Sequence, residues 1–579
     1  MYNRFPTISI PGIKDQCFSC YDQIAAEVMN AVHERNVKVI IIECYPGIRY
    51  NELYNRLIKR LSPDLIISSE EYALSKEHIE SLIQPFLTDD RVFGTMSYTQ
   101  LTDYFDKEKV DRIRSQLANY SHNLTVIYGV GASIIANEGL LIYADLCRWE
   151  IQQRYRNENL PNWLSENAEE DILRKYKRGY FWEWRIADRH KKQLFHHMDY
   201  YLDTNKKDNP RMITGEAFLN AMGIIARRPF RTMPYFDPGV WGGQWMKKVC
   251  GLDENAPNYA WSFDGVPEEN SLLLDFEGII VQTPCSNLVY LHPEDLLGEK
   301  VYARFGSEFP IRFDLLDTMN GQNLSLQVHP RTSYIMDRFG MHYTQDESYY
   351  LLDSKENACV YLGLKTNTNP EEMVNDLIQA QQGLKTFPVE KYINQFNARK
   401  HDHFLIPAGT IHCSGMNTMV LEISATPYIF TFKLWDWDRI GLDGLPRPTH
   451  INFGKENIEW CRDTQWVKDN IVNRVDIVSQ GDGWKEERTG LHELEFIETR
   501  RHWFSKKVHH ETCGSVNVLN LVEGSQAIVE SPSGLFAPFI VNYVETFIIP
   551  ASVKEYTIAP FGDSVGSTIA TIKAYVRTI

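Results

Sequence analysis

From Ile24 the apolar positions Ile24, Val28, Met29 and Val32 recur every three or four residues, the spacing of one helix face, and predict a helix that ends near Asn36. The run Val37-Lys-Val-Ile-Ile-Ile-Glu43 follows as a buried strand, then a turn containing Gly47 and a second helical stretch. Two further short strands, Leu124-Thr-Val-Ile-Tyr-Gly-Val-Gly131 and Leu140-Leu-Ile-Tyr-Ala-Asp145, are set off by Gly-rich turns, and a charged, aromatic helical region runs to about Asp203. This order predicts an α/β domain over 1–205. The polar, Pro-terminated Asn205-Lys-Lys-Asp-Asn-Pro210 opens a linker expected over 206–229.

Beyond it the pattern changes to short β-branched and aromatic runs punctuated by Gly, Pro and Asn, which predicts β-sandwiches or barrels, one over 230–465 and a second over 466–579. One helix interrupts them. Asn369 suits an N-cap and Pro370 the first turn, Val374, Leu377 and Ile378 form an apolar stripe, and Gly383 can end it.

A chain of 579 residues exceeds one core, since cores stop growing near roughly 250–300 residues, so several domains are expected. A net charge of −16 excludes a general nucleic-acid or anionic-membrane surface while leaving room for a local basic pocket. No apolar run approaches the roughly 20 residues of a membrane span, and the opening MYNRFPTISIPGIK has no hydrophobic signal core, so the expected location is soluble and cytoplasmic. Ten dispersed cysteines read as reduced thiols, and the pair Cys17 and Cys20 lacks the second pair that a metal knuckle needs.

The candidate chemistry lies in the first barrel. In Leu324-Ser-Leu-Gln-Val-His-Pro330 the residues Gln327 and His329 stand two apart on a strand and share a face. Glu347 opens the run Glu-Ser-Tyr-Tyr-Leu-Leu, and in Phe404-Leu-Ile-Pro-Ala-Gly-Thr-Ile-His412 a Pro-x-Gly turn swings His412 back toward a barrel interior. Any one of these alone reads as a satisfied polar residue. Two imidazoles, a carboxylate and an amide oxygen together suit zinc, with positions left for water or substrate.

The strings Val240-Trp-Gly-Gly243, Gln327-Val-His-Pro330, Pro407-Ala-Gly-Thr-Ile-His412, Val420-Leu-Glu-Ile423 and Leu434-Trp-Asp-Trp-Asp-Arg-Ile-Gly-Leu-Asp-Gly444 resemble, in order, successive motifs of type I mannose-6-phosphate isomerases. Val518-Leu-Asn-Leu-Val-Glu-Gly524 and Phe547-Ile-Ile-Pro-Ala551 resemble that family's second, structural cupin. The resemblance implies an N-terminal α/β domain followed by a mainly-β double cupin of jelly-roll barrels with a helical insertion. It implies zinc on Gln327, His329, Glu347 and His412, a small sugar phosphate as substrate, and Glu422 as an acid/base group in aldose–ketose isomerisation.

Three positions depart from the family, and all concern the substrate's anionic end. Asp314 and Gln345 stand where lysine is usual, and Lys433 stands where arginine is usual, keeping the charge without the two-toothed geometry of guanidinium. Arg312, Ser325 and Arg439 are the candidates to compensate. The N-terminal domain faintly resembles a uridine-kinase-like fold, with Glu43-Cys-Tyr-Pro-Gly-Ile-Arg-Tyr50 where a phosphate loop would sit. That loop lacks the Gly-Lys-Ser/Thr that phosphate and magnesium require, so a degenerate P-loop-kinase-like or plain α/β module is expected and an active nucleoside kinase is disfavoured. The expected function is a mannose-6-phosphate isomerase-like enzyme. A non-catalytic, metal-containing sugar sensor is the alternative.

Overall fold

The computed structural model describes residues 1–119, 124–425, 430–441, 444, 447–490 and 492–578. It forms two compact units, one of Thr7–Ile225 with Ser271–Leu291, the other of Met1–Pro6, Ala226–Asn270 and His292–Ile579. The chain therefore passes between units four times, and neither is a single stretch of sequence.

The first unit is built on a seven-stranded sheet ordered Cys17–Phe18, Arg211–Thr214, Tyr200–Asp203, Leu140–Asp145, Val39–Cys44, Thr125–Gly129, Leu65–Ser68. Its last five strands are parallel, and the two at the other edge are antiparallel. Val39–Cys44 is the middle strand of the five parallel ones and is buried over almost its whole length, as a strand covered on both faces must be. The helix expected from Ile24 spans Tyr21–Arg35, and Asn36 closes it in the left-handed conformation, where Asn is tolerated better than most residues.

The expected linker over 206–229 is corrected. Arg211–Thr214 pairs antiparallel with Tyr200–Asp203, so Asn205–Pro210 is the turn of a hairpin, and Gly215–Ile225 is a helix burying Phe218, Met222 and Ile225. A polar, Pro-terminated stretch has the same composition in a hairpin as in a linker. The unit also takes in Ser271–Phe276 and Ile279–Pro284, a hairpin to which Thr7–Ser9 adds in parallel. Its two-residue turn, Glu277-Gly278, has positive φ at both positions (52° and 99°), the type I′ geometry that matches strand twist.

The second unit holds two antiparallel two-sheet barrels. In the first, a sheet ordered His403–Ile406, Glu347–Ser354, Thr418–Ser424, Arg312–Asp317, Trp261–Gly265, Tyr235–Asp237 faces one ordered Ile393–Asn397, Cys359–Leu364, His412–Ser414, Leu326–Val328, Phe432–Trp435. Between Cys359–Leu364 and Ile393–Asn397 stands the helix Pro370–Gln381, whose N-terminus Asn369 caps by accepting from the backbone N–H of Glu372. Its buried stripe is Met373, Leu377 and Ala380, with Val374 and Ile378 half-buried at the edge.

In the second barrel, the sheet Asp476–Gly481, Trp484–Gly490, Ile497–Phe504, Ile569–Val576, Asn517–Glu523, Thr546–Ile549 faces Val508–Glu511, Glu555–Pro560, Gln526–Glu530, Phe539–Asn542. Phe504, Leu519, Leu521, Phe547, Tyr556 and Ile569 are among the residues that fill its core.

Candidate metal centre

Four segments of the first barrel converge between its sheets. Gln327 sits opposite His412 in the register of the second sheet, His329 follows directly after Leu326–Val328, and Glu347 opens its strand on the first sheet. The Pro407-Ala-Gly409 turn positions His412. Gly409 holds a φ of +87°, a conformation that favours glycine, and its N–H donates to the carbonyl of His329. Asp346 fixes the same turn by accepting from the N–H of Ala408 at 2.7 Å.

The protonation pattern of the two imidazoles follows from their partners. Nδ1 of His329 lies 2.9 Å from the carbonyl of Phe430, and Nδ1 of His412 lies 2.9 Å from the carbonyl of Thr410. A carbonyl can only accept, so each Nδ1 carries its proton and each Nε2 presents a lone pair. Those lone pairs face Glu347, with Nε2 of His329 at 3.0 Å from Oε2 and Nε2 of His412 at 2.8 Å from Oε1. All three side chains are buried to 1% exposure or less, and Nε2 of His329 and Oε1 of Glu347 make no hydrogen bond.

Lone pairs set against a carboxylate in a dry interior repel unless a proton or a cation lies between them. One ligand atom from each residue lies within 4.8 Å of the others, and backbone carbonyls hold the far nitrogens, the outer-shell arrangement that orients ligating histidines. The donor set fits a divalent metal with open positions. It is the one such group among the described residues. Gln327 lies beside it, its amide nitrogen 3.1 Å from Nε2 of His412. Turning that amide over would present its oxygen instead.

The three groups also shift one another's charges. Burial pushes the Glu347 carboxyl up, but the imidazoles of His329 and His412 outweigh burial and hold it well below the usual carboxylate range. Burial pulls His329 down, and Glu347 more than compensates and raises it.

Around this centre stands a wall of carboxyls. Glu422 is opposite Asp314 on one neighbouring strand and Tyr349 on the other. Burial, then the charges of Glu347 and Asp314, raise Glu422 well above its ordinary value. Burial also pushes Asp314 up to about 6, although Arg312, whose guanidinium donates to it at 3.2 Å, works against this. Gln345 donates to Glu347 at 2.8 Å and reaches Glu422 at 3.4 Å, bridging the two carboxyl groups with an uncharged amide.

The other predicted site residues fall in two places. Lys433 sits opposite Gln327 in register, next to the centre. Ser325 and Arg439 both donate to the buried carboxylate of Asp436, at 2.5 and 2.7 Å, and Arg447 joins them at 3.0 Å. Sequence reasoning missed Asp436 and Arg447. Asp436 is in plain view within Trp435-Asp-Trp437, but nothing local shows which donors it gathers. Leu442 and Asp443 of that motif lie outside the described residues.

In the α/β unit, the turn after Val39–Cys44 is tied down by its own side chains. The carbonyl of Gly47 accepts from Arg154 at 2.7 Å, and Arg49 pairs with Glu158 at 2.8 Å. The loop after Thr125–Gly129 points two N–H groups, of Gly131 and Ser133, at the carboxylate of Glu43 at 2.6 and 2.8 Å. A free anion would find those donors already engaged. Among the described residues no helix is long and apolar enough to cross a membrane.

A protein with a two-sheet barrel closed around a His/Glu/His centre is the class these features define. Comparison with known proteins adds two similarities. A family model described only as a domain of unknown function, DUF8485, matches residues 20–227. Mannose-6-phosphate isomerase ManA of Bacillus subtilis is 24% identical over 236 residues, 41% of this chain and 69% of that protein. The mannose-6-phosphate isomerase of Streptococcus mutans is 26% identical over 215 residues, 37% of this chain and 62% of that one. The chain thus spans about two thirds of the length of these relatives. The solved mannose 6-phosphate isomerase from Bacillus subtilis aligns with a TM-score of 0.48 at 18% identity, covering 60% of this chain and 99% of that one. A mannose 6-phosphate isomerase solved with zinc bound aligns at 0.46 and 15% identity, with 60% and 99% covered.

Proposed function

We propose that this chain is a zinc-dependent sugar-phosphate isomerase that interconverts mannose 6-phosphate and fructose 6-phosphate through a cis-enediol. The observation that carries the reading is the convergence of His329, Glu347 and His412 on one point, with Gln327 beside them and the buried Glu422 on the adjacent strand. In this reading the two barrels form a double cupin, and the partial similarity to mannose-6-phosphate isomerases supports it.

Bound to these residues, zinc would polarise the sugar's oxygens and offset charge developing on them. The remaining work belongs to the protein. Glu422 moves the proton between the two carbons, a role worth about 10²–10⁴-fold. Gln345 holds Glu422 and Glu347 at fixed separation, and the buried barrel wall keeps water from the reacting carbons. Lys433 is the cation nearest the ligand set in register and orients the oxygens of the substrate.

A second reading has an observation of its own. Asp314 and Gln345 surround the centre with acid and amide rather than ammonium groups, and Asp436 already engages Ser325 and Arg439. Such a wall disfavours a phosphate, which suits a metal-containing sensor of sugars. The N-terminal unit, in either case, is a kinase-like or plain α/β module that does not bind nucleotide.

A coupled assay of mannose 6-phosphate conversion on zinc-loaded protein decides between the two. Turnover in the wild type that drops by about 10²–10⁴-fold in Glu422→Gln, with zinc content unchanged, is the expected result. Full zinc occupancy without turnover on any hexose 6-phosphate would remove the isomerase reading and leave the sensor.

A further inference from the structure

The second barrel has an interior of two halves. Phe504 and Ile569 belong to its apolar core, and alternation along the same strands carries His502 and Arg500, then Thr571 and Lys573, onto the same inward face. From the opposite sheet comes His510, the inward neighbour of Val508. Its ring stacks on Tyr556 at 5.0 Å and meets the ring of His502 edge-on at 4.5 Å. One end of this barrel is therefore polar.

That end is poorly satisfied. Both ring nitrogens of His510, Nδ1 of His502 and the hydroxyl of Thr571 are buried without a hydrogen-bond partner, on residues exposed by 3%, 5% and 0%. Native interiors pair such groups with protein, water or a ligand, because an unpaired one keeps the full cost of leaving water. Thr571 stands directly opposite His502, and Lys573 is its next inward neighbour, 8% exposed.

The charges do not balance either. Glu486 and Glu498 accept from Arg500 at 3.1 and 2.5 Å, Arg488 lies 3.8 Å from Glu498, and His502 lies 3.3 Å from Glu486. Lys573 has no carboxylate within ion-pair distance among the described residues, although Glu486 and Glu498 are near enough to act on its charge, and its ammonium lies 5.6 Å from the centre of the Tyr575 ring. The arginines and the lysine together thus exceed the two carboxylates by one charge. Burial pulls the Lys573 ammonium below its ordinary value, and the charge of Glu486 does not make up for it.

We propose that the polar end of the second barrel binds a small oxyanion, with the ammonium of Lys573, the hydroxyl of Thr571 and a ring N–H of His510 as its donors. A metal ion does not fit the same place, because no third ligand lies within reach of His502 and His510 among the described residues. An anion supplies the missing negative charge and the acceptors that these groups lack. Entry is from the rim, where Arg500 and Arg488 keep 20% and 36% of their side chains exposed. The site is independent of the first barrel's chemistry and of the isomerase reading.

Calorimetric titration of the full-length protein with inorganic phosphate tests this, with acetate as a second probe to tell a carboxylate site from a phosphate site. The His329→Ala/His412→Ala double variant serves as background, so that the first barrel's centre cannot supply the signal. Binding is expected in that background, weakened at least tenfold by Lys573→Met and by Thr571→Val and retained by Lys573→Arg. Thr571→Val keeps the shape of the side chain and guards against a lysine variant that fails to fold. Phosphate and acetate both failing to bind, or binding unchanged in Thr571→Val and Lys573→Met, would overturn the proposal.

Discussion

In the first barrel the rings of His329 and His412 lie 5.0 Å apart, and in the second those of His502 and His510 lie 4.5 Å apart, so the two interiors present histidine pairs at nearly the same spacing. Their surroundings differ. His329 and His412 have their Nδ1 protons fixed by backbone carbonyls and aim their Nε2 lone pairs at one carboxylate. His502 instead turns Nε2 to Glu486 and leaves Nδ1 unpaired, while His510 pairs with nothing. A metal centre is thus made by what holds the far side of each ring and by a third ligand in range, not by the proximity of two histidines.

The largest effect expected from this contrast is on metal content. Wild-type protein and His502→Ala/His510→Ala should each carry about one equivalent of zinc when dialysed against a weak chelator. His329→Ala/His412→Ala should carry none, a loss of affinity beyond the roughly 10–100-fold seen for outer-shell changes. Elemental analysis of the three proteins gives the answer. Zinc retained by the first-barrel variant and lost from the second would reverse the comparison.

Much of the first barrel was legible because its signals are local. Gln327 and His329 share a face by strand alternation, the Pro-x-Gly turn before His412 is a sequence signature, and the helix at Asn369-Pro370 carries its own cap. What escaped reading depends on partners far away in sequence. Ser325 meets Asp436 across 111 residues, and no periodicity announces it. The excursion of Ser271–Leu291 into the α/β unit was hidden for the same reason, since a hairpin carries no mark of the sheet it will join. The polar half of the second barrel was missed because His502, His510 and Thr571 sit singly in three separate strands.

The next largest effect is on acid stability. Burial, then the neighbouring His502 and Lys573, hold His510 well below the ordinary histidine range, so it is neutral in the fold. The unfolded chain takes up the proton near pH 6.5, so this contribution is whole above that pH and is lost as pH falls toward the folded value. Between pH 7 and pH 5.5 the wild type should lose on the order of 1 kcal/mol more stability than His510→Phe, which keeps a ring on Tyr556 and cannot titrate. Urea denaturation of both proteins at the two pH values measures it. Parallel losses would show that His510 is charged or solvated in the fold, and the contrast between the barrels would shrink.

The smallest effect separates scaffold from site within the first barrel. Among the described residues the helix Pro370–Gln381 has no counterpart in the second barrel, whose connections carry only turns, loops and the short 3₁₀ stretches Ala551–Val553 and Gly562–Ser564. Asn369 caps it through one side-chain oxygen, and Met373, Leu377 and Ala380 bury its inner face. Asn369→Ala leaves the N–H of Glu372 without that acceptor and should cost about 1 kcal/mol in urea denaturation. Zinc content should not change, because the ligands stand on strands and on the turn at Gly409 rather than on this helix. Zinc lost at unchanged stability would mean that the helix helps set the metal centre, and the first barrel would then owe its chemistry to an element the second never acquired.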